Sequence, residues 1–288
     1  MSSPEWLTKL EQFCYKYNIE IEFLSEILND PKVIPMIRGK GFEFTAKKVL
    51  SRLLSSQHYE VTNPRLNTQS GSKDIDVEIR DKIGKINYSV ECKLASKGSF
   101  RWKKGEPPFI KVKCMRSRTL GEIAAKQKAD STGINYELLK LHNDQYVSDD
   151  FDFVITSIAN AFYETNQDGL FYWSPSDTAQ PFLDKISVKT QNDAFYKLYI
   201  AKSENLSVNG QNRTGGKIIE CHKKRKKSVV YKKSEHKDNY IRCEDILYEV
   251  GERYCNFIPN YPKIYFNPDT GKPYPPWFEV ENLENLLS

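Results

Sequence analysis

The amino-acid sequence predicts an α/β protein with a mixed β-sheet flanked by helices, an N-terminal helical extension and an irregular C-terminal region. Three observations support this. Apolar residues recur at helical spacing through most of the first 56 positions. From residue 59 onward the pattern changes to short apolar or alternating runs, which are typical of strands. The last forty residues are rich in proline and aromatic side chains, which favours extended and turn conformations.

The N-terminal part predicts three helices. Residues 4–18 and 21–28 each carry apolar side chains at helical spacing. Gly39 and Gly41 predict a break in the chain, after which residues 42–56 form an amphipathic helix. The buried face of that helix is expected to consist of Phe42, Ala46, Val49, Leu50, Leu53 and Leu54.

The middle of the chain predicts the sheet. Residues 74–80 (DIDVEIR) alternate strictly between charged and apolar side chains, and residues 86–95 (INYSVECKLA) form the next strand after a short turn. The two segments therefore predict either a β-hairpin or adjacent strands of a meander. Further strands are expected at 59–64, 109–114, 151–159 and 197–202, with a polar helix near 120–128.

Composition excludes several classes of protein. The chain has 288 residues, 39% hydrophobic and 28% charged residues, and a net charge of +5, values typical of a globular protein. Its six cysteines form no CxxC pair, and no signal peptide or apolar stretch of membrane-spanning length is visible. We expect a soluble cytoplasmic protein with reduced thiols and no membrane partner.

The predicted hairpin carries a cluster of charged residues. Asp76 lies on the polar face of its strand, and Glu91 and Lys93 share one face of the next strand because residues i and i+2 project the same way. Two carboxylates on neighbouring strands are suitable oxygen ligands for a hard divalent cation, and a nearby lysine can act on an attacking water or an oxyanion. The alternative interpretation of Glu91 and Lys93 is a solvated strand face.

Two further carboxylates belong to this hypothesis. Glu43 lies seven positions before Leu50, at the inner edge of the preceding helix, where it is either a third metal ligand or a surface acid. Asp74 has the same side-chain parity as Asp76 and is the alternative ligand to it.

The order GKGFE at 39–43, then DIDVEI, then VECK resembles the PD-(D/E)xK nuclease superfamily, and within it type II restriction endonucleases most. The resemblance covers residues 38–160. It implies a restriction-endonuclease-like αβββαβ core, with Asp76, Glu91 and Glu43 as metal ligands, Lys93 as the catalytic lysine, and Mg²⁺, for which Mn²⁺ can substitute, as cofactor. The chain departs from the family pattern because no proline precedes either aspartate.

Positive charge is concentrated in two segments. Residues 93–118 contain nine basic residues and one acid, and residues 217–237 contain nine basic residues and two acids. Such segments favour phosphate contacts, although each is also compatible with a solubilising loop, and HKKRKK with a nuclear signal. The predicted DNA-binding residues are Lys97, Arg101, Trp102, Lys103, Lys104, Arg116, Arg118, Lys223, Lys224 and Arg225.

Other chemistries are less well supported. No GxxxxGK[ST], GxSxG or HExxH motif is present, which argues against an NTPase motor, an α/β-hydrolase and a zincin. The spacing of Cys221, His222, His236 and Cys243 does not match a zinc knuckle.

The sequence therefore predicts a Mg²⁺-dependent endonuclease that cuts double-stranded DNA as a homodimer. Three parts are expected: an N-terminal helical extension (1–37), a nuclease core (38–160), and a C-terminal region (161–288) for DNA recognition or dimer contacts. A cognate DNA methyltransferase encoded nearby would fit a restriction system. The alternatives are a repair, resolvase or phage-defence nuclease, and a catalytically decayed DNA-binding module.

Overall fold

A computed structural model describes residues 4–64, 75–117, 119–134, 136–141, 143–207, 231–233, 241–243 and 257–287. Its helices are α1 (Glu5–Lys16), α2 (Leu24–Asn29), α3 (Ile34–Leu53), α4 (Glu122–Thr132), α5 (Tyr136–Leu141), α6 (Gln180–Lys185), α7 (Gln191–Tyr196), α8 (Ser203–Leu206) and α9 (Leu283–Leu287). Its strands are β1 (Tyr59–Thr62), β2 (Val77–Asp81), β3 (Asn87–Cys92), β4 (Phe109–Lys111), β5 (Phe153–Ser157), β6 (Tyr163–Thr165), β7 (Phe171–Trp173), β8 (Leu198–Lys202), β9 (Tyr231–Lys233), β10 (Ile241–Cys243), β11 (Lys263–Tyr265) and β12 (Phe278–Glu279).

A six-stranded mixed sheet forms the centre of the protein, in the order β1-β2-β3-β5-β8-β12. Only β3 and β5 run parallel to each other, and every other neighbouring pair in this sheet is antiparallel. The prediction of a mixed sheet flanked by helices is confirmed. Along the chain, α3 precedes β1, β2 and β3, and the elements β4, α4 and α5 lie between β3 and β5.

Each face of the sheet has its own apolar core, because successive side chains of a strand point to opposite faces. On the first face, Val90 and Cys92 of β3 pack with the buried side of α3, which contributes Phe42, Ala46 and Leu50. On the second face, Val154 packs with residues from the segment after β3 and from the C-terminal region. Glu91 pairs in register with Val154 and therefore projects toward this second face.

The predicted break at Gly39 and Gly41 is wrong. Helix α3 runs without interruption from Ile34 to Leu53. A glycine inside a helix costs about 1 kcal/mol relative to alanine, but tertiary packing routinely outweighs such propensities. Here the completely buried residues Phe42, Ala46 and Leu50 anchor the helix to the sheet.

The C-terminal region packs on its own chain. Phe266 and Trp277 are completely buried in the second core, and β8 and β12 extend the central sheet beyond β5. Burial within one chain accounts for these two aromatic side chains without a second subunit, whereas Tyr261 is exposed. Residues 209–216 (NGQNRTGG), whose sequence predicts a flexible turn, lie outside the described residues.

Two smaller observations concern the thiols and the membrane. Cys14, Cys92 and Cys114 are buried free thiols, as expected for reduced cysteines. Across the part of the chain that the structure describes, no helix combines the length and the apolar character needed to cross a bilayer.

Candidate active site

Asp76 is held at the start of β2 by hydrogen bonds to two neighbouring segments. Asp76 directly precedes Val77, and Glu91 directly follows Val90. Because Val77 pairs with Val90 in an antiparallel register, Asp76 lies beside Glu91. Asp76 Oδ2 accepts a hydrogen bond of 2.8 Å from the backbone N–H of Cys92. Asn63 Nδ2 donates to the Asp76 carbonyl oxygen at 2.7 Å. The carboxylate thus takes the place of a ladder acceptor where the β2–β3 pairing ends.

Glu91 and Lys93 form a buried ion pair, with Lys93 Nζ 2.6 Å from Glu91 Oε1. The Tyr146 hydroxyl donates to the same oxygen at 2.8 Å. The side chain of Glu91 is 9% exposed and that of Lys93 is 19% exposed. The alternative of a solvated strand face is therefore wrong for these two residues.

Tyr146 also connects the pair to a second group of charges. Its ring centroid lies 5.3 Å from Lys93 Nζ and 4.6 Å from Arg116 Cζ. Arg116 forms an ion pair with Asp150, and Asp150 forms another with Lys128 of α4. The result is a continuous polar network from Asp150 to Glu91, on the second face of the sheet.

The sequence analysis missed Tyr146 and Asp150. Both lie in the polar segment that directly precedes the buried strand β5. That segment contains several acidic residues and one tyrosine next to an apolar run, which was the available signal. Local periodicity does not show that this segment meets the C-terminal end of β3, because the contact depends on the parallel pairing of β3 with β5.

The electrostatic environment of Asp76 disfavours its charged form. Burial, followed by the negative charges of Glu91 and Glu43, raises the pKa of Asp76 to about 8, against the opposing effects of the Cys92 N–H and Lys93. In the absence of a cation, Asp76 is thus largely protonated at neutral pH. A carboxyl group in this state indicates a site that favours added positive charge.

Lys93 and Tyr146 titrate above their ordinary ranges. Burial alone would lower the pKa of Lys93, but the Glu91 carboxylate outweighs burial and raises that pKa. Burial and the Glu91 carboxylate both raise the pKa of Tyr146. Lys93 is therefore a permanent cation and Tyr146 a neutral hydrogen-bond donor at neutral pH.

Glu43 lies near this cluster without joining a three-residue metal cage. It forms an ion pair with Lys40 on α3, and its charge contributes to the raised pKa of Asp76. Among the described residues, no group of three or more His, Cys, Asp or Glu side chains is arranged to hold a metal ion.

The donor set nevertheless fits Mg²⁺. This ion retains several waters and typically binds through one or two carboxylates plus substrate phosphate oxygens. Asp76 Oδ1 and Glu91 Oε2 accept no hydrogen bond from any residue that the structure describes. Asp76 and Glu91 can therefore each supply one oxygen.

The predicted DNA-binding residues near β3 differ in their contacts with the rest of the protein. Arg116 is held in the network by Asp150, and Arg101 donates to the carbonyl oxygens of Gly98 and Phe100. Lys97 is exposed and donates to Thr165.

Trp102, Lys103 and Lys104 lie on a loop between Arg101 and Phe109, which pair across its base. This loop lines an open cavity of about 660 Å³ together with the C-terminal Tyr274. The predicted residues Asp74, Arg118, Lys223, Lys224 and Arg225 lie outside the described residues.

Comparison of the chain with protein-family models, with curated proteins and with solved structures finds no match. A function for this chain must therefore be inferred from the geometry and chemistry of the site.

Proposed function

We propose that the chain is a Mg²⁺-dependent endodeoxyribonuclease of the PD-(D/E)xK type that hydrolyses phosphodiester bonds in double-stranded DNA. The observation that carries this proposal is the cluster of Asp76, Glu91 and Lys93 at the end of the β2–β3 pairing. Two carboxylates with available oxygens lie next to a lysine that burial and an ion pair hold in one position. This combination suits a reaction in which negative charge develops on a phosphoryl group.

The proposed roles follow from the geometry. Asp76 and Glu91 would hold Mg²⁺, which would supply a Lewis acid for the phosphoryl group. Lys93, which its ion pair with Glu91 holds in place, stabilises developing negative charge or acts on the attacking water. Tyr146 fixes the carboxylate of Glu91 through its hydroxyl. Glu43 adds negative charge that favours the bound cation.

The family resemblance favours a type II restriction endonuclease that acts as a homodimer, with the basic segments contacting DNA. A repair, resolvase or phage-defence nuclease would use the same site. A decayed DNA-binding module is the third alternative. The buried acid–lysine pair argues against this alternative, because desolvated charges are unfavourable unless they serve a role.

The roles of the carboxylates can be tested by substitution. Asp76→Ala and Glu91→Ala should each lower the rate of DNA cleavage by at least about two orders of magnitude, since a lost ligand removes several kcal/mol of charge stabilisation. DNA binding should persist or become tighter, because a carboxylate that repels phosphate is gone. Asp74→Ala is the matched control. If it abolishes cleavage while Asp76→Ala does not, the ligand is Asp74.

The metal can be tested separately. Cleavage should require Mg²⁺ or Mn²⁺ and stop in EDTA, whereas Ca²⁺ should support binding without cleavage. Full activity in EDTA would contradict the proposed metal site.

A further inference from the structure

Two cations lie against one aromatic ring on the hairpin of β6 and β7. Arg38, in the first turns of α3, has its Cζ atom 4.4 Å from the ring centroid of Tyr163 and 5.7 Å from that of Phe171. Lys97 Nζ lies 4.6 Å from the centroid of Phe171. In the described ranges, no carboxylate oxygen lies within 4.0 Å of either cation. The ring of Phe171 therefore contacts two positive charges that have no carboxylate counter-ion among the described residues.

Arg38 has unused hydrogen-bonding capacity in this position. A guanidinium group carries five N–H donors. The described contacts of Arg38 comprise one side-chain hydrogen bond, to Asn160 Oδ1. Burial lowers the pKa of Arg38, and no carboxylate offsets that effect. A cation such as Arg38 that is partly removed from water without a counter-ion raises the free energy of the protein, and a bound anion would relieve this.

A cavity of about 320 Å³ lies next to this arginine. Its lining includes Arg38, Tyr163, Phe171 and Gln191. Gln191 Oε1 accepts a hydrogen bond of 3.1 Å from the Tyr163 hydroxyl, so its amide nitrogen can donate to a ligand. The cavity therefore offers a cation and an amide donor, which suit a phosphate group.

The position of the two cations relates them to the candidate active site. Arg38 precedes Glu43 by five residues on α3, a rise of about 7.5 Å along the helix axis. Lys97 follows Lys93 by four residues of extended chain, at most about 13 Å. Asn160 connects the two cations. The Gly98 N–H, next to Lys97, donates to the carbonyl oxygen of Asn160, and the side chain of Asn160 accepts a hydrogen bond from Arg38.

We propose that Arg38 and Lys97 form a phosphate clamp that binds the DNA backbone close to the bond being cut. This inference rests on the proposed function and adds Arg38, a residue outside the basic segments of the sequence. The clamp fixes the register of one strand relative to Asp76 and Glu91. Phosphate contacts position DNA without reading its sequence, so the clamp acts on all DNA sequences alike.

The experiment measures the binding of a fluorescein-labelled duplex of about 30 base pairs by anisotropy in EDTA, over a range of salt concentrations. Arg38→Gln and Lys97→Ala should each lower the affinity at least about fivefold and reduce the salt slope by about 1, the value for one lost phosphate contact. Arg38→Lys keeps the charge and should keep the slope. Lys82→Ala removes a positive charge from the β2–β3 turn, at the opposite end of β3 from Lys93, and should change neither quantity.

A thermal unfolding curve for each variant identifies a variant that fails to fold. If Arg38→Gln is such a variant, the exposed Lys97 still decides the question. Unchanged affinity and slope in the folded variants, or an equal change in Lys82→Ala, would overturn the clamp. Cleavage of plasmid DNA by the wild-type protein in Mg²⁺ is scored separately. Cleavage with unchanged binding in the variants rejects the clamp alone, whereas clamp-dependent binding without cleavage rejects the nuclease and retains the clamp.

Discussion

At the scale of single residues, the two oxygen atoms of the Glu91 carboxylate have different roles. Oε1 accepts hydrogen bonds from both Lys93 and Tyr146, which fixes the orientation of the group. Oε2 has no partner among the described residues and is available to a cation. Asp76 follows the same pattern, since Oδ2 is engaged by the Cys92 N–H. Both carboxylates are thus oriented before any ligand binds.

The raised pKa of Asp76 predicts how the stability of the metal-free protein depends on pH. The folded-state value of about 8 lies above the ordinary value of 3.8, so the folded protein binds more protons than the unfolded chain between these limits. The stabilisation is complete below about pH 4 and is lost as the pH rises toward about 8. Asp76→Asn removes this titration. In EDTA near pH 9, we expect Asp76→Asn to raise the Tm by at least about 2 °C over wild type.

The same variant separates stability from activity. Asp76→Asn should be inactive in cleavage, because the site loses a carboxylate that binds the cation. Its Tm in EDTA should be higher than that of the wild-type protein, because a buried carboxylate without a cation is removed. Adding Mg²⁺ should raise the Tm of the wild-type protein and not that of the variant. A lower Tm for Asp76→Asn at both about pH 5 and about pH 9 would contradict the electrostatic account.

Tyr146 is predicted to position Glu91. Tyr146→Phe deletes the hydroxyl that donates to Glu91 Oε1 and retains the ring that contacts Lys93 and Arg116. Since a hydrogen bond to a charged group is worth about 1.5–3 kcal/mol, kcat should fall about tenfold or more. The Mg²⁺ concentration for half-maximal rate should rise as well, which a purely structural role would not produce.

The exposed pair of Tyr172 and Glu164 offers a matched control. The Tyr172 hydroxyl donates to Glu164 at 3.1 Å, far along the chain from Glu91. Tyr172→Phe removes a similar bond and should leave both kcat and the Mg²⁺ requirement unchanged. Equal losses in the two variants would indicate a general effect on the fold.

At the scale of elements, the β2–β3 hairpin was the most predictable part of the chain. Strict alternation in DIDVEIR and the i, i+2 relation of Glu91 and Lys93 depend only on the period of a strand. Both features are present in the structure, where Val77 and Ile79 are completely buried. The buried strand β5 was predictable for a similar reason, since a continuous apolar run fits a strand that is covered on both faces.

The rest of the site depends on contacts between distant segments. The hydrogen bond between Tyr146 and Glu91 spans 55 residues, and the contact between Arg38 and Asn160 spans 122. No periodicity encodes such contacts. Local propensity was also misleading at Gly39 and Gly41, where packing of α3 on the sheet outweighed the low helix propensity of glycine.

Helix α3 provides a stability prediction at this scale. A Cβ atom added at Gly39 or Gly41 would meet nothing within 4 Å. Gly39→Ala and Gly41→Ala should therefore each stabilise the protein by about 0.5–1 kcal/mol and raise the Tm by about 1–4 °C in thermal unfolding.

Gly133 is the control for these substitutions. It ends α4 with φ 66°, a left-handed conformation that disfavours alanine. Gly133→Ala should lower the Tm. A loss of stability in Gly39→Ala and Gly41→Ala would mean that the two glycines serve another purpose, such as close approach to a ligand.

At the scale of the whole molecule, one chain carries one candidate site, whereas a double-strand cut needs two. A two-fold homodimer on a palindromic DNA site meets this requirement, since such an interface is self-complementary. Because Phe266 and Trp277 are buried in their own chain, we expect the dimer interface to consist of other residues. Light scattering, measured on the protein alone and on its complex with DNA, should show that two chains bind each duplex. One chain per duplex that produces only nicks would reject the dimer.

The central claim is that Asp76, Glu91 and Lys93 hydrolyse DNA with Mg²⁺. The most direct measurement incubates supercoiled plasmid and phage DNA with the wild-type protein and with Asp76→Asn, in Mg²⁺ and in EDTA, and separates the products on a gel. The account predicts linear or discrete fragments only for wild-type protein in Mg²⁺. Intact DNA in every lane, with both proteins folded and Mn²⁺ also tested, or equal cleavage by Asp76→Asn, would contradict it.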